Sequence, residues 1–249
     1  MEALIDGATR IDVDFDVARA KLVAVLKKGT GLRRTIELPY VGRLDMVRER
    51  NVVDVVANVS VHESGHAVAY AVLFGLAPLQ LTSKVASSYA SGFTFPHDIH
   101  ETKTQLLAKI KVLLAGGIAE EIVFGGDHAT TGRSGDRERA TMLTLDFVRK
   151  HGFDREFQAH CGLAFSYAMD ESVTDLDVEK MVSRLVAETH ELLVEHQRLL
   201  VALSIELARV GRLPAAEVAQ VCERFGLRIV LKAEGYLHLP AYSTMLTIS

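Results

Sequence analysis

The chain has 249 residues, of which 49% are hydrophobic and 24% charged, with a formal net charge of −4. That is enough apolar material for a sizeable core and excludes wholesale disorder. The acidic balance gives no electrostatic basis for a nucleic-acid partner, and the absence of Trp with only 6% aromatics argues against a base-stacking platform. Cys161 and Cys222 are too few for a disulfide scaffold or a four-thiolate metal site and fit buried apolar roles. The N-terminus, Met1-Glu-Ala-Leu-Ile-Asp-Gly, lacks the basic and apolar pattern of a signal peptide, so an intracellular, cytoplasmic protein is expected.

In chain order, Phe15, Val17, Ala18, Leu22, Val25 and Leu26 fall at helical spacing and predict a helix over residues 14–28, closed by Lys27 and Lys28. An irregular stretch around Pro39 and Gly42 follows. Residues 51–74 form a long apolar helical pattern in which Asp54 and Asn58 are among the few polar interruptions. Residues 64–83 contain no Lys, Arg, Asp or Glu, about the length of a bilayer span. Pro78 would end a helix well short of that, however, and no membrane segment is expected. Residues 79–82 and 92–96 read as two short strands. Helices are predicted over 102–124, 136–151, 175–193 and on to 210, with a Gly/Thr-rich loop at 125–135. Pro214 is placed as the first residue of a short helix ending before Gly226, and residues 227–249 read as extended. Leu185, Val186, Leu192 and Leu193 are read as packing. The fold class is mainly α with a small β-sheet. The chain divides into a helical extension or linker (1–50), a central domain (51–226) and an extended tail (227–249).

The sharpest motif is His62-Glu63-Ser64-Gly65-His66. Two histidines four apart on a helix present their rings on one face, so both can grip one zinc ion. Glu63 then stands beside the ion's open position, where it can take a proton from the water that the metal acidifies and pass it to a leaving amine. The alternative, a pair of hydrogen-bonded core histidines, is costly on so apolar a helix. Catalytic zinc needs a third protein ligand. Ala69 and Val72 exclude the extended motif with a third histidine. Glu101, Glu120, Glu121, Asp127, His128, Asp136 and Glu138 remain as candidates that spacing cannot separate. Taken by itself, Asp136 reads rather as a first-turn Asp favoured by the helix dipole, after Ser134 as a cap. The other histidines, His97 and His100 among them, are read as surface or internally satisfied residues.

His62-Glu-Ser-Gly-His-Ala67, Gly92-Phe-Thr, Leu113-Leu-Ala-Gly-Gly-Ile-Ala-Glu-Glu-Ile-Val-Phe-Gly125, Thr130-Thr-Gly-Arg-Ser-Gly-Asp136 and His151-Gly-Phe occur in that order. Over residues 55–220 this series resembles the peptidase domain of FtsH-type ATP-dependent zinc metalloproteases. The resemblance implies an FtsH-like metallopeptidase fold and one zinc ion per chain, with Asp136 as third ligand beside His62 and His66. It also implies Glu63 as catalytic base, Glu120 as an outer carboxylate orienting a ligand ring, and Gly92, Phe93, Thr94 and Phe95 as a strand that pairs with extended substrate.

The implied function is zinc-dependent endoproteolysis of unfolded or flexible polypeptides. The alternative is a zinc-bearing peptide-binding or regulatory pseudo-protease that has lost turnover; a metal-dependent hydrolase of small amides is a weaker third reading. The resemblance further implies an AAA ATPase, in trans or on a longer parent chain, and a homo-oligomeric ring. Three departures stand out: the family usually has Arg at the position of Gly117, Ala at Arg133 and Asn at Gly135.

Overall fold

The computed structural model describes residues 10–16, 21–28, 32–39, 50–83, 92–154 and 172–246. Its centre is α1 (Val52–Phe74), a helix apolar on nearly all sides and buried from Val59 to Ala71 save for His62, which is half-buried. Such a helix must be sheathed on every side. It is covered by α2 (Lys103–Phe124), α4 (Ser172–Glu195) and α5 (Gln197–Val210), through Ile110, Leu114, Ile118, Leu185, Leu200 and Leu203 among others. The uncharged stretch is therefore a core helix. Gly75, in a left-handed conformation (φ 65°), ends it by donating its N–H to Ala71 O, and Pro78 follows. Among the described residues no helix is long and apolar enough to cross a membrane.

α1 and α2 approach closely because small residues face each other. A Cβ on Gly65 would stand 2.6 Å from both Ala115 O and Ala119 Cβ. The start of α2 is set by a capping box: Thr102 Oγ1 accepts from Gln105 N–H, and Gln105 Oε1 accepts from Thr102 N–H at 3.0 Å. After α2 the chain makes two short 3₁₀ turns, Gly126–His128 and Thr131–Arg133, before α3 (Ser134–Leu145) and its π-helical continuation Asp146–Lys150. Phe147 and Val148 there join Leu106 and Val178 in a second buried cluster. Leu185 and Leu193 are buried as expected, whereas Val186 is 38% exposed, on the outer side of α4.

The expected strands are β4 (Gln80–Thr82) and β5 (Phe93–Phe95). They form an antiparallel sheet of order β5–β4–β7 with β7 (Arg212–Pro214), which pairs buried Leu81 with Thr94 on one side and Leu213 on the other. Pro214 therefore closes a strand and precedes α6 (Ala215–Arg224) rather than opening that helix. The tail is not merely extended. Val230 bridges Leu76, β8 (Tyr236–Leu237) runs parallel to β6 (Asp98–Ile99), and α7 (Tyr242–Leu246) ends the described chain.

The helix expected over 14–28 is overturned. The described segments of residues 10–39 are three strands of one antiparallel sheet, β1 (Arg10–Asp16), β2 (Lys21–Lys28) and β3 (Leu32–Pro39). The physical reason is visible in Ile11-Asp-Val-Asp-Phe-Asp16, where apolar and acidic residues alternate with period two. The register sets Ile11 opposite Leu26, Val13 opposite Ala24 and Phe15 opposite Leu22. Leu22 and Ala24 in turn stand opposite Leu38 and Ile36. The continuous apolar run 22–26 matches helical spacing as well as strand spacing, and pairing with neighbours decides between them. Gly42 and Cys161 lie outside the described residues.

Candidate metal centre and active site

His62 and His66 sit one turn apart on α1 with ring centroids 4.7 Å apart and planes at 79°. α3 brings Asp136, in its first turn, against both: Oδ2 lies 3.0 Å from His62 Nε2 and 3.2 Å from His66 Nε2, and the two Nε2 atoms are 3.0 Å apart. Among the described residues these three form the single group of His, Cys, Asp or Glu side chains placed to hold a metal ion. Of the other carboxylates that spacing left open, Glu101 pairs with Lys109 at 2.6 Å and Glu121 pairs with Arg133. Asp127 and His128 are exposed on a 3₁₀ turn.

The outer nitrogens determine what the inner ones can do. His62 Nδ1 lies 2.6 Å from Glu120 Oε1, and His66 Nδ1 lies 2.7 Å from Val112 O. Both partners are pure acceptors when Glu120 is ionised, so each Nδ1 carries the proton and each neutral ring points a bare Nε2 lone pair inward. With both rings neutral, two lone pairs and a carboxylate oxygen converge with no donor among them, so the site needs either a proton on His62 or a cation. The spacing suits a cation: four ligands held at zinc's usual bond lengths stand about 3.3 Å apart at the corners of a tetrahedron. Gly116 of α2 leaves the room, since a Cβ there would come within 2.5 Å of His66 Nε2 and 2.6 Å of His62 Nε2.

Glu120 is 1% exposed and also accepts the Thr130 N–H at 2.7 Å and Asn58 Nδ2 at 3.3 Å. Burial would raise its pKa, but His62 and these donors hold it below the usual carboxylate range. Asp136 is likewise held well below that range by the two imidazoles, against burial. Burial alone would lower the pKa of His62, yet Asp136 and Glu120 outweigh it and push it up to about 10 without metal. This gives a pH prediction for the metal-free protein. The unfolded ring titrates near 6.5, so the stability from this proton is complete below that pH and is lost as the pH rises toward 10. Melting temperature of chelator-treated protein should therefore fall across that window. Zinc-loaded protein should fall less, because an ion takes the place of the proton.

Glu63 points from the same helix and is 7% exposed; burial pushes its carboxyl up, against the two imidazoles and Thr94. The Thr94 hydroxyl lies 2.9 Å from both Oε2 and the main-chain O of Glu63, tying β5 to the motif. Gly92 permits this approach: a Cβ there would stand 2.4 Å from Val59 Cγ1, 2.5 Å from Thr82 O and 3.0 Å from Glu63 Cγ. Among the described residues β5 is an edge strand of its sheet, paired with β4 alone.

His97 is buried and satisfied. Its Nδ1 lies 2.7 Å from Tyr70 Oη, its Nε2 donates to Lys232 O at 3.1 Å, and burial holds its pKa down. Cys222 is fully buried, which pushes its thiol up to about 11 and makes it inert. Sequence reasoning missed Gly116, Thr130 and Asn58. The Gly116-Gly117 pair inside a helix was the available signal, because each mid-helix glycine costs roughly 1 kcal/mol. Asn58, one turn before His62, reads in the sequence only as a polar interruption. A Cβ on Gly135 would meet nothing, so no packing reason requires glycine there.

Two imidazoles a helical turn apart, a carboxylate from a second helix and a buried glutamate beside them define a metal-dependent hydrolase centre of the His-Glu-x-x-His class. Sequence comparison is more specific. The model of Peptidase family M41 matches residues 54–221, and the chain belongs to this family, the FtsH-type zinc metalloprotease domain. It is 34% identical over 172 residues to the ATP-dependent zinc metalloprotease FtsH of Lachnoclostridium phytofermentans, covering 65% of this chain and 28% of that protein. It is 32% identical over 174 residues to the ATP-dependent zinc metalloprotease FtsH 1 of Alkaliphilus metalliredigens, covering 66% and 29%. With the ATP-dependent zinc metalloprotease YME1L of Drosophila melanogaster the identity is 27% over 235 residues, covering 89% and 29%. The chain thus spans less than a third of the length of these relatives.

Proposed function

We propose that this chain is a zinc-dependent endopeptidase acting on unfolded or flexible polypeptides, its catalytic unit lying within residues 51–226. His62, His66 and Asp136 hold the ion, Glu120 orients His62, and Glu63 is the catalytic base. The observation that carries this reading is the convergence of His62 Nε2, His66 Nε2 and Asp136 Oδ2 beside an intact, buried Glu63. Zinc, when bound, supplies Lewis acidity toward solvent and toward the scissile carbonyl.

The protein's own groups do the rest. Glu63 accepts the proton of the attacking water on its carboxylate and returns it to the departing amine nitrogen, which leaves the carboxylate regenerated. Its raised pKa makes it a stronger base than a solvated glutamate. Thr94 fixes the carboxylate, and the edge of β5, with Gly92, Phe93, Thr94 and Phe95, supports backbone pairing to an extended substrate. Main-chain pairing demands extended chain and little sequence preference, so unfolded polypeptide is the fitting substrate class. The named relatives are ATP-dependent. By that likeness an AAA ATPase, in trans or on a longer parent chain, delivers substrate in the cytoplasm to a homo-oligomer of this domain.

The test combines metal content with hydrolysis of unfolded casein. Purified protein should hold one zinc per chain. Chelation should abolish cleavage and stoichiometric zinc restore it, with a folded protein of similar size left uncut. Absence of cleavage by zinc-replete protein would instead favour a peptide-binding pseudo-protease.

A further inference from the structure

The ligand Asp136 enters the site through the loop between α2 and α3, and two adjacent carboxylates of α2 hold that loop. Glu120 grips it from inside at the Thr130 N–H, and Glu121 grips it from outside through the Arg133 guanidinium. Arg133 is the residue immediately before α3, three positions ahead of Asp136. Its side chain lies over Gly117, one helical turn before Glu121. A Cβ on Gly117 would stand 2.7 Å from Arg133 Nε and 3.0 Å from both its Cβ and its Cζ. So close a passage is open only to glycine. Two of the three departures that the family resemblance implies, Gly117 and Arg133, are therefore in contact and form one unit, while a Cβ on Gly135 would meet nothing.

We propose that Arg133 is a positioning residue for the metal centre: seated on Gly117 and hooked to Glu121, it sets the first turn of α3 so that Asp136 Oδ2 meets His62 and His66. This rests on the reading of Asp136 as a ligand. An ion pair whose partners are 34% and 39% exposed contributes little to global stability. Its consequence is local, in where the carboxylate is held, much as outer partners of metal ligands act elsewhere.

Zinc affinity of the full chain, measured by competition with a chromophoric chelator, tests this without reference to turnover. Arg133→Ala is expected to weaken zinc binding by roughly 10- to 100-fold, the usual cost of losing an outer partner. Melting of the metal-free protein should be unchanged, and KM for casein should be unaltered at saturating zinc. Gly117→Ala, which displaces the guanidinium, should act in the same direction. The double variant Gly117→Arg with Arg133→Ala puts a guanidinium back within reach of Glu121, now four residues along one helix. That pair lies wholly within α2 and leaves the first turn of α3 untethered, so zinc affinity should stay as low as in Arg133→Ala. Should Arg133→Ala not fold, Arg133→Lys, which keeps charge and stem but loses the planar fork, replaces it with the same expected direction. Wild-type affinity in the single variants, or a double variant restored to wild-type affinity, overturns the proposal. Wild-type protein that holds no zinc would overturn the metal reading and this inference with it, a result distinct from both.

Discussion

Glu63→Gln is expected to retain zinc at one ion per chain and to lose cleavage of unfolded casein by roughly 10²- to 10⁴-fold, the usual contribution of a positioned acid–base group. The amide is isosteric and can still accept from the Thr94 hydroxyl through its carbonyl oxygen, so β5 keeps its tie to the motif. What it lacks is basicity. Glutamine cannot take the proton of the attacking water, and the effect should fall on kcat with KM nearly constant. The same substitution relieves the desolvation of a buried carboxylate, so the variant should melt no lower than the parent. Metal analysis, casein kinetics and a thermal melt on one preparation read all three. Unchanged cleavage would remove Glu63 from the chemistry.

Gly116→Ala should be as damaging by a different route. The added methyl would stand 2.5–2.6 Å from both Nε2 atoms, in the room the ion needs. His62, His66 and Asp136 all remain, and alanine is the better helix former by roughly 1 kcal/mol, so neither lost chemistry nor helix propensity accounts for a loss of metal. Zinc affinity is expected to fall by at least about 100-fold, as for a damaged metal site, and activity with it, while circular dichroism of the metal-free protein stays that of the parent. Titration with zinc followed by chelator competition measures this. Parental affinity would show that the ion seats elsewhere than between the two imidazoles.

Much of the site could be read before any fold was known. His62, Glu63 and His66 lie within five residues on a segment that can only be a helix, so the helical period alone places them together. Asp136, 70 residues beyond His66, was out of reach of spacing; it entered through likeness to a family, and the packing of α3 against α2 brings it to 3.0–3.2 Å from both rings. Glu120 and Thr94 are of the same kind. Each acts on the motif through an approach between elements that only Gly116 or Gly92 makes close enough.

The strands β1, β2 and β3 show the opposite case. Leu22-Val-Ala-Val-Leu26 satisfies helix and strand periods alike, and pairing with the neighbouring strands β1 and β3 settles it. By itself, then, the amino-acid order determined the core helix, its two histidines and the glutamate between them, because these depend on a local period of 3.6 residues. The carboxylate that faces the two rings, the partners of the outer ring nitrogens and the room between them were decided by the tertiary structure. They depend on the distance between backbones remote in sequence, and no local pattern carries that distance.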